Sequence, residues 1–384
     1  MKNGEKTSFL PGFHKLSLPE KLRIIKEFAG LSKEDLVLIK KYQALPDFLD
    51  LENNLGPFKI ATNFLVNQKD YLVPMEIEEP SVVAAASRAA KLIREGGGFF
   101  GKCLGNEMVG QLQLIGIDGF QRVKRKILSQ KEKILKIANQ TNPFLFKIGG
   151  GAKDLKVKKR RNFLVLYLVC DPKDAMGANI INTMLEKISP FLEKITGKKS
   201  GAKIISNYVE KRMVIVEGKV PIEKLAQKNF SGKEVAQAVL DCQKLAELDV
   251  WRAVTHNKGV MNGIDALALA TGNDFRAVES AVHSFASKGG KYKPVTKWEI
   301  ENGFLKGKIK IPLPLATVGG ATSTKKARLA FKILRVQDSQ ELRIVAASVG
   351  LANNLAALSV LGTEGIQKGH MKLHQEFLKK IKND

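Results

Sequence analysis

The pattern of apolar residues changes near residue 105, and that change limits the fold more than any other feature of the chain. MVGQLQLIGI alternates apolar and polar side chains as a strand does, residues 121–139 repeat as a basic amphipathic helix, and FLVLYLVC reads as a buried strand. Residues 180–195 carry an apolar helical stripe at Ile180, Met184, Ile188 and Ile195, and AKIISNY and RMVIVEG read as further strands. That order predicts an inserted unit of ferredoxin-like type, with helices on one face of an antiparallel sheet.

The flanking segments read differently. From Leu18 to about Gln43 the spacing is helical, with Ser32 placed to cap a second helix whose first turn holds Glu34 and Asp35. ATNFLVNQKDYLVPMEIEE reads as a hairpin and SVVAAASRAAKLIRE as a helix opening behind Pro80. After about residue 212 the chain is helical and alanine-rich again, through residues 235–248 and 343–361. The expectation is an α+β protein: a large domain with a central long-helix region, residues 1–104 and 212–368, interrupted by a small ferredoxin-like domain, residues 105–211.

With 384 residues, 44% of them hydrophobic, the chain can bury a large core. The longest apolar run, FLVLYLVC, falls far short of the ~20 residues of a membrane span. No apolar signal segment opens the chain, and Cys103, Cys170 and Cys242 show neither a disulfide framework nor metal-binding spacing. A reducing cytoplasm, no membrane and no metal are expected. The net charge of +25 attracts polyanions. Nucleic acid is nevertheless not expected, because the lysines are dispersed, aromatics are 7%, and the one dense cluster, KVKKRR from Lys156, lacks an aromatic residue to stack bases and reads as a solvated hairpin. Small phosphorylated ligands would benefit from the same field.

The richest candidate for chemistry is HNKGVMNGIDALALATGND from His256. Its glycines suggest turns that present Lys258, Asn262 and Asp274 around an apolar segment. A structural Lys258–Asp274 ion pair is the plainer reading. Gly96, Gly98 and Gly101 satisfy G-x-G-x-x-G but follow a helix rather than a strand, so they read as a helix stop. His370 and His374 have zinc-helix spacing without its glutamate. In DPKDAMGANIINTMLE, Asp174, Gly177 and Asn179 stand at a strand-to-helix junction suited to phosphate, or Asp174 simply caps the helix.

These blocks together resemble the class II hydroxymethylglutaryl-coenzyme A reductases, the soluble prokaryotic type. The resemblance rests on ENNLG from Glu52, VPMEIEEPSVVAAAS from Val73, GGGAKDL from Gly149, DAMGAN from Asp174, ISNY from Ile205, WRAVTHNKGVMNGIDALALATGNDFRA from Trp251, ATVGGAT from Ala316 and GIQKGHMKLH from Gly365, in order along most of the chain. It implies interconversion of hydroxymethylglutaryl-CoA with mevalonate and CoA by two hydride transfers, through a hemithioacetal and mevaldehyde. NADPH or NADH is the cofactor, held by the small domain in a non-Rossmann mode, and the large domain holds the CoA substrate. It further implies a homodimer, or a higher assembly of dimers, with active sites at the subunit interface.

The resemblance also implies roles. Lys258 would stabilise the thioester oxyanion, with Asp274 keeping it charged and oriented. Glu79 would donate the proton to mevaldehyde, although a helix N-terminus lowers a carboxyl pKa. His370 would protonate the departing CoA thiolate, with Gly369 letting it swing. Ser81, Asn207, Arg252 and Asn262 match substrate-binding positions, and Asp174, Met176, Gly177 and Asn179 match cofactor-binding ones. Asn142, before Pro143, lies where the family reads the adenosine ribose. A neutral amide there does not repel a 2′-phosphate, so NADPH acceptance is expected, and the alternative is that Asn142 only caps a turn. The family normally continues well past the GHM histidine, whereas this chain ends 14 positions after His370, so residues 369–384 are expected to form only the start of a shortened C-terminal flap.

Overall fold

The computed structural model describes residues 7–43 and 58–365. Local capping builds its first elements. A Ser17–Glu20 capping box opens α1 (Leu18–Ala29), and Ser32 caps α2 (Lys33–Gln43) by accepting the Asp35 N–H at 3.2 Å, as its position predicted. β1 (Phe58–Val66) and β2 (Lys69–Glu76) form the expected hairpin across Asn67 and Gln68, both at positive φ as a two-residue turn requires. α3 (Pro80–Arg94) follows, and β3 (Phe99–Cys103) begins directly behind Gly97 and Gly98, whose positive φ ends the helix. Of the fingerprint glycines, Gly96 and Gly98 belong to this stop, whereas Gly101 lies within β3, where a Cβ would stand 2.6 Å from an Ile344 methyl.

The chain then crosses to a second sheet. β4 (Met108–Leu114), α4 (Phe120–Ser129), α5 (Lys131–Asn139), α6 (Pro143–Lys147), β5 (Gly151–Arg160), β6 (Phe163–Asp171), α7 (Ala178–Thr196) and β7 (Ser200–Ile205) form a four-stranded antiparallel sheet in the order β5-β6-β4-β7. Each of its two helical crossovers skips one strand, which is the ferredoxin-like pattern the sequence predicted. Strand residues Leu112, Leu164, Leu166 and Leu168 pack against Ile181, Met184, Leu185 and Ile188 of α7, all fully buried. The single helix expected over 121–139 is two, broken at Gln130. Val123, Ile127, Ile134 and Ala138 keep one apolar stripe in phase through the break, so periodicity alone could not show it.

RMVIVEG does not join this sheet. It forms β8 (Met213–Pro221), which pairs with β3 from Phe99↔Gly218 to Cys103↔Val214 and so returns the chain to the first sheet. α8 (Gly232–Leu248), α9 (Val250–Ala270), α10 (Phe275–Ala286), β9 (Thr296–Glu301), β10 (Phe304–Pro312), α11 (Lys325–Leu334) and α12 (Ser339–Leu361) complete this half, whose six strands run β2-β1-β3-β8-β10-β9. Its core gathers α3, α9 and α12 against the sheet through Ala86, Ile93, Val260, Ile264, Val345 and Val349. Among the described residues α12 alone is long and apolar enough to cross a membrane, and 78% of that stretch is buried inside the protein.

The segment expected to turn at its glycines is instead continuous helix. His256, Lys258, Asn262 and Asp265 all lie on α9, and only Gly272, at φ 67°, makes the turn before Asp274. The glycines serve packing: a Cβ at Gly263 would overlap the Asn353 amide oxygen and stand 2.6 Å from a Val349 methyl. A helix can carry glycine where a neighbour approaches this closely.

Candidate active site

Glu79 is the N-cap of α3. Its carboxylate accepts the Ser81 N–H at 3.1 Å, placing Glu79 and Ser81, both half-buried, at one helix start. Lys59 lies beside this turn, donating to the Ile77 carbonyl at 2.7 Å; burial lowers its pKa, against the opposing pull of Glu78 and Glu79. Glu76, on the strand leading in, forms a buried ion pair with Lys326 of α11. Burial raises the carboxyl pKa there and lowers that of the amine. Neither lysine stood out in the sequence, because each acts through a partner distant along the chain.

Asn353 of α12 links this turn to α9. Its amide donates to the Val82 carbonyl at 3.0 Å in the first turn of α3, and its oxygen faces Gly263, the neighbour of Asn262. The first turn of α3, which follows Glu79, and the Gly263 turn of α9 therefore meet at one buried amide. α9 is held in rotation by a second polar network: His256 Nε2 meets the Thr296 hydroxyl at 2.6 Å, and Asn354 joins Thr296, His256 and the Trp298 indole. Burial pulls the His256 pKa down to about 4, so its ring stays neutral. This histidine holds the helix that carries Lys258.

Lys258 is exposed and makes no hydrogen bond or ion pair among the described residues. Arg252 lies half-buried on the same helix, and Asn207 is exposed on the return crossover. Asp274 is the N-cap of α10; its carboxylate accepts the Arg276 and Ala277 N–H groups and pairs with the Arg276 guanidinium at 3.1 Å. From Lys258 to the end of α9 is 12 residues, about 18 Å of helix. One chain thus does not pair Lys258 with Asp274.

The segments that carry the residues expected to meet the cofactor, 142–150 and 171–179, come together at one end of the smaller sheet. Asn142 caps α6, accepting the Leu145 N–H at 2.9 Å; the next turn leads to Gly150, where a Cβ would stand 2.9 Å from the Asp171 carbonyl. Gly149 lies beside Lys173, and Lys153 donates to the Gly149 carbonyl at 2.8 Å. Asp174 does not cap α7, whose N-cap is Gly177 at φ 105°. It accepts the Ser339 N–H at the start of α12, at 2.9 Å. Met176 is half-buried and Asn179 exposed at the first turn of α7. Two lysines and a 19-residue helix's N-terminus suit an anionic, phosphorylated ligand. Among the described residues no cluster of His, Cys, Asp and Glu could hold a metal. ENNLG from Glu52 and His370, with residues 369–384, lie outside the described residues.

A sequence profile of the hydroxymethylglutaryl-coenzyme A reductases matches residues 19–375. The chain belongs to this family. It is 46% identical to the 3-hydroxy-3-methylglutaryl-coenzyme A reductase of Archaeoglobus fulgidus, covering 97% of this chain and 87% of the relative. A probable reductase of Borreliella burgdorferi is 35% identical, over 94% of this chain and 84% of its own length. Among solved structures, the class II reductase of Streptococcus pneumoniae, bound to NADPH in open conformations, superposes with a TM-score of 0.84 at 37% identity, covering 91% of this chain and 99% of that one.

Proposed function

We propose that this reductase converts hydroxymethylglutaryl-CoA to mevalonate and CoA with NADPH or NADH, and that its large domain, residues 1–104 and 212–368, holds the CoA substrate while residues 105–211 hold the cofactor. The observation that carries the reading is Lys258: a cation without a counter-ion among the described residues, on a helix locked by two buried polar networks, with Asn262 one turn away. Fixed charge at the thioester oxygen is what the first reduction requires. When bound, the nicotinamide supplies hydride. Lys258 stabilises the oxygen that becomes negative, and Asn262 supports the thioester. Glu79 donates the proton to the aldehyde oxygen in the second reduction, with Ser81, Arg252 and Asn207 holding the substrate. His370 protonates the leaving thiolate.

For the cofactor we assign Asn142, Asp174, Met176, Gly177 and Asn179. Lys153 and Lys173 beside Gly149 and the open start of α7 fit its phosphates. The separation of Lys258 from Asp274 supports a site completed by a second copy. So does the exposed apolar run Leu245, Leu248, Val250, Trp251 and Val254, in which Trp251 is 84% exposed. A homodimer seated there would cover this patch and bring the ends of two α9 helices into one site. Three unpaired cysteines fit a reducing cytoplasm.

The test is oxidation of NADPH and NADH followed with hydroxymethylglutaryl-CoA, on the protein and on Lys258→Ala. The variant should fold and dimerise normally and lose at least ~100-fold in turnover, corresponding to about 3 kcal/mol at the oxyanion. Near-normal turnover in the variant would refute the assignment of Lys258.

A further inference from the structure

The chain passes between its two halves twice, at residues 104–107 and 206–212, and the two crossings lie side by side: the Leu104 N–H donates to the Met213 carbonyl at 2.8 Å. Two fully buried arginines meet there. Arg212 ends the return crossing. Its Nη1 donates to the carbonyls of Ala175 at 2.9 Å and Met176 at 3.2 Å, and its Nη2 to those of Lys173 at 3.2 Å and Leu315 at 3.0 Å. Three of these acceptors belong to the loop from β6 to α7 and one to the large-sheet half. Arg343 of α12 reaches the outgoing crossing, donating to the Gly105 carbonyl at 3.0 Å and the Asn106 side-chain oxygen at 2.9 Å. Asn106 in turn donates to Asp171 and to the Lys173 carbonyl.

The loop is also docked on the large half by its own groups. Asp174 accepts the Ser339 N–H, the Thr317 N–H donates to the Asp174 carbonyl at 2.9 Å, and Ala175 forms a parallel bridge with Val318. Neither guanidinium has a carboxylate within ion-pair distance among the described residues. Burying a cation this way is costly; at Arg212 the two terminal nitrogens are satisfied by four backbone carbonyls, while the buried Nε has no partner among the described residues. A planar fork with five donors can gather four carbonyls at fixed angles, and an ammonium cannot.

We infer that Arg212 is a positioning residue for the nicotinamide cofactor: by drawing the carbonyls of Lys173, Ala175 and Met176 onto Leu315, it sets the backbone of the 173–177 loop and ties it to the orientation of the two halves. Arg343 acts behind it by holding the outgoing crossing through Asn106. The inference rests on the reading that this loop meets the cofactor.

The test uses the full-length enzyme and four variants: Arg212→Met, Arg212→Lys, Ser339→Pro and Asp174→Ala. Ser339→Pro removes the N–H that holds Asp174 at the first position of α12, where proline is well tolerated, so it perturbs the docking without depending on a buried cavity. Folding is followed by thermal unfolding, and KM for NADPH and for hydroxymethylglutaryl-CoA are measured separately. Arg212→Met and Ser339→Pro should raise KM for NADPH at least tenfold and leave KM for hydroxymethylglutaryl-CoA within twofold. Arg212→Lys should fall between Arg212→Met and the parent. A purely structural role would lower the active fraction, and hence kcat, with both KM values unchanged; that result overturns the inference. If Arg212→Met does not fold, Ser339→Pro and Arg212→Lys decide by the same criterion. Asp174→Ala separates the two ideas. A raised NADPH KM there with parent-like values in folded Arg212 variants overturns the positioning role alone, whereas no change in Asp174→Ala overturns the cofactor assignment of the loop and the inference with it.

Discussion

Two glycines four residues apart on α9 should respond oppositely to alanine. Alanine in a helix gains about 0.5–1 kcal/mol over glycine from reduced backbone entropy. At Gly259 no atom outside the helix lies within 4 Å of the added methyl, so the gain stands and Gly259→Ala should be more stable by roughly that amount. At Gly263 the methyl overlaps the Asn353 oxygen and crowds Val349. Overpacking of this kind costs about 1–3 kcal/mol, and displacing Asn353 strains its bond to the Val82 carbonyl, a further ~1 kcal/mol. Set against the helix gain, Gly263→Ala should be less stable by about 1–3 kcal/mol. Urea unfolding followed by circular dichroism, with the slope checked for constancy, measures both. Midpoints shifted in the same direction would refute the claim that Gly263 exists for the close approach of α12.

Asn142→Asp should keep the α6 cap, since a carboxylate accepts the Leu145 N–H equally well, and lower kcat/KM for NADPH relative to NADH by repelling the 2′-phosphate; an unchanged ratio would show that this position does not read the phosphate. Asp265 lies between α9 and α10 with its pKa raised to about 9 by burial and by the adjacent Glu279, so above its ordinary 3.8 the folded state holds a proton that the unfolded state has lost. That contribution makes stability fall as pH rises from about 4 to about 9, and Asp265→Asn should flatten the slope and stabilise the protein at pH 8; an unaltered thermal-unfolding profile between pH 5 and 9 would refute it. Trp251→Glu, which puts charge into the exposed apolar run, should shift sedimentation towards monomer and abolish activity, whereas a fully active monomer would contradict a shared site.

Element identity was legible wherever period and caps agreed, as for α2 behind Ser32, the β1–β2 hairpin and the ferredoxin-like order of β4 to β7. Two of the misreadings share a cause, a contact made far along the chain. Glycine is a turn signal only when nothing packs against it, and Gly263 meets a helix 90 residues further on. RMVIVEG is a strand by its pattern, but its sheet is set by register with β3, which no local period encodes. The candidate side chains were visible as motifs. Their supports, Lys59, Lys326, Asn353, Arg212 and Arg343, were not, because each is defined by a carbonyl or carboxylate far away in sequence.

β3 and β8 are direct neighbours in the larger sheet, yet Cys103 and its partner Val214 are 111 positions apart. The smaller half is therefore an insertion spliced into what would otherwise be a plain hairpin. Closing so long a loop from an unstructured chain costs about 3 kcal/mol more than closing a turn of a few residues. If the ferredoxin-like unit collapses first, its two ends emerge together, with the Ser206 N–H bonded to the Val109 carbonyl, and that entropy is already spent. The insert would then serve its host as a folding clasp, and splitting the chain anywhere within residues 105–211 would slow assembly of the larger sheet even where no cofactor is present.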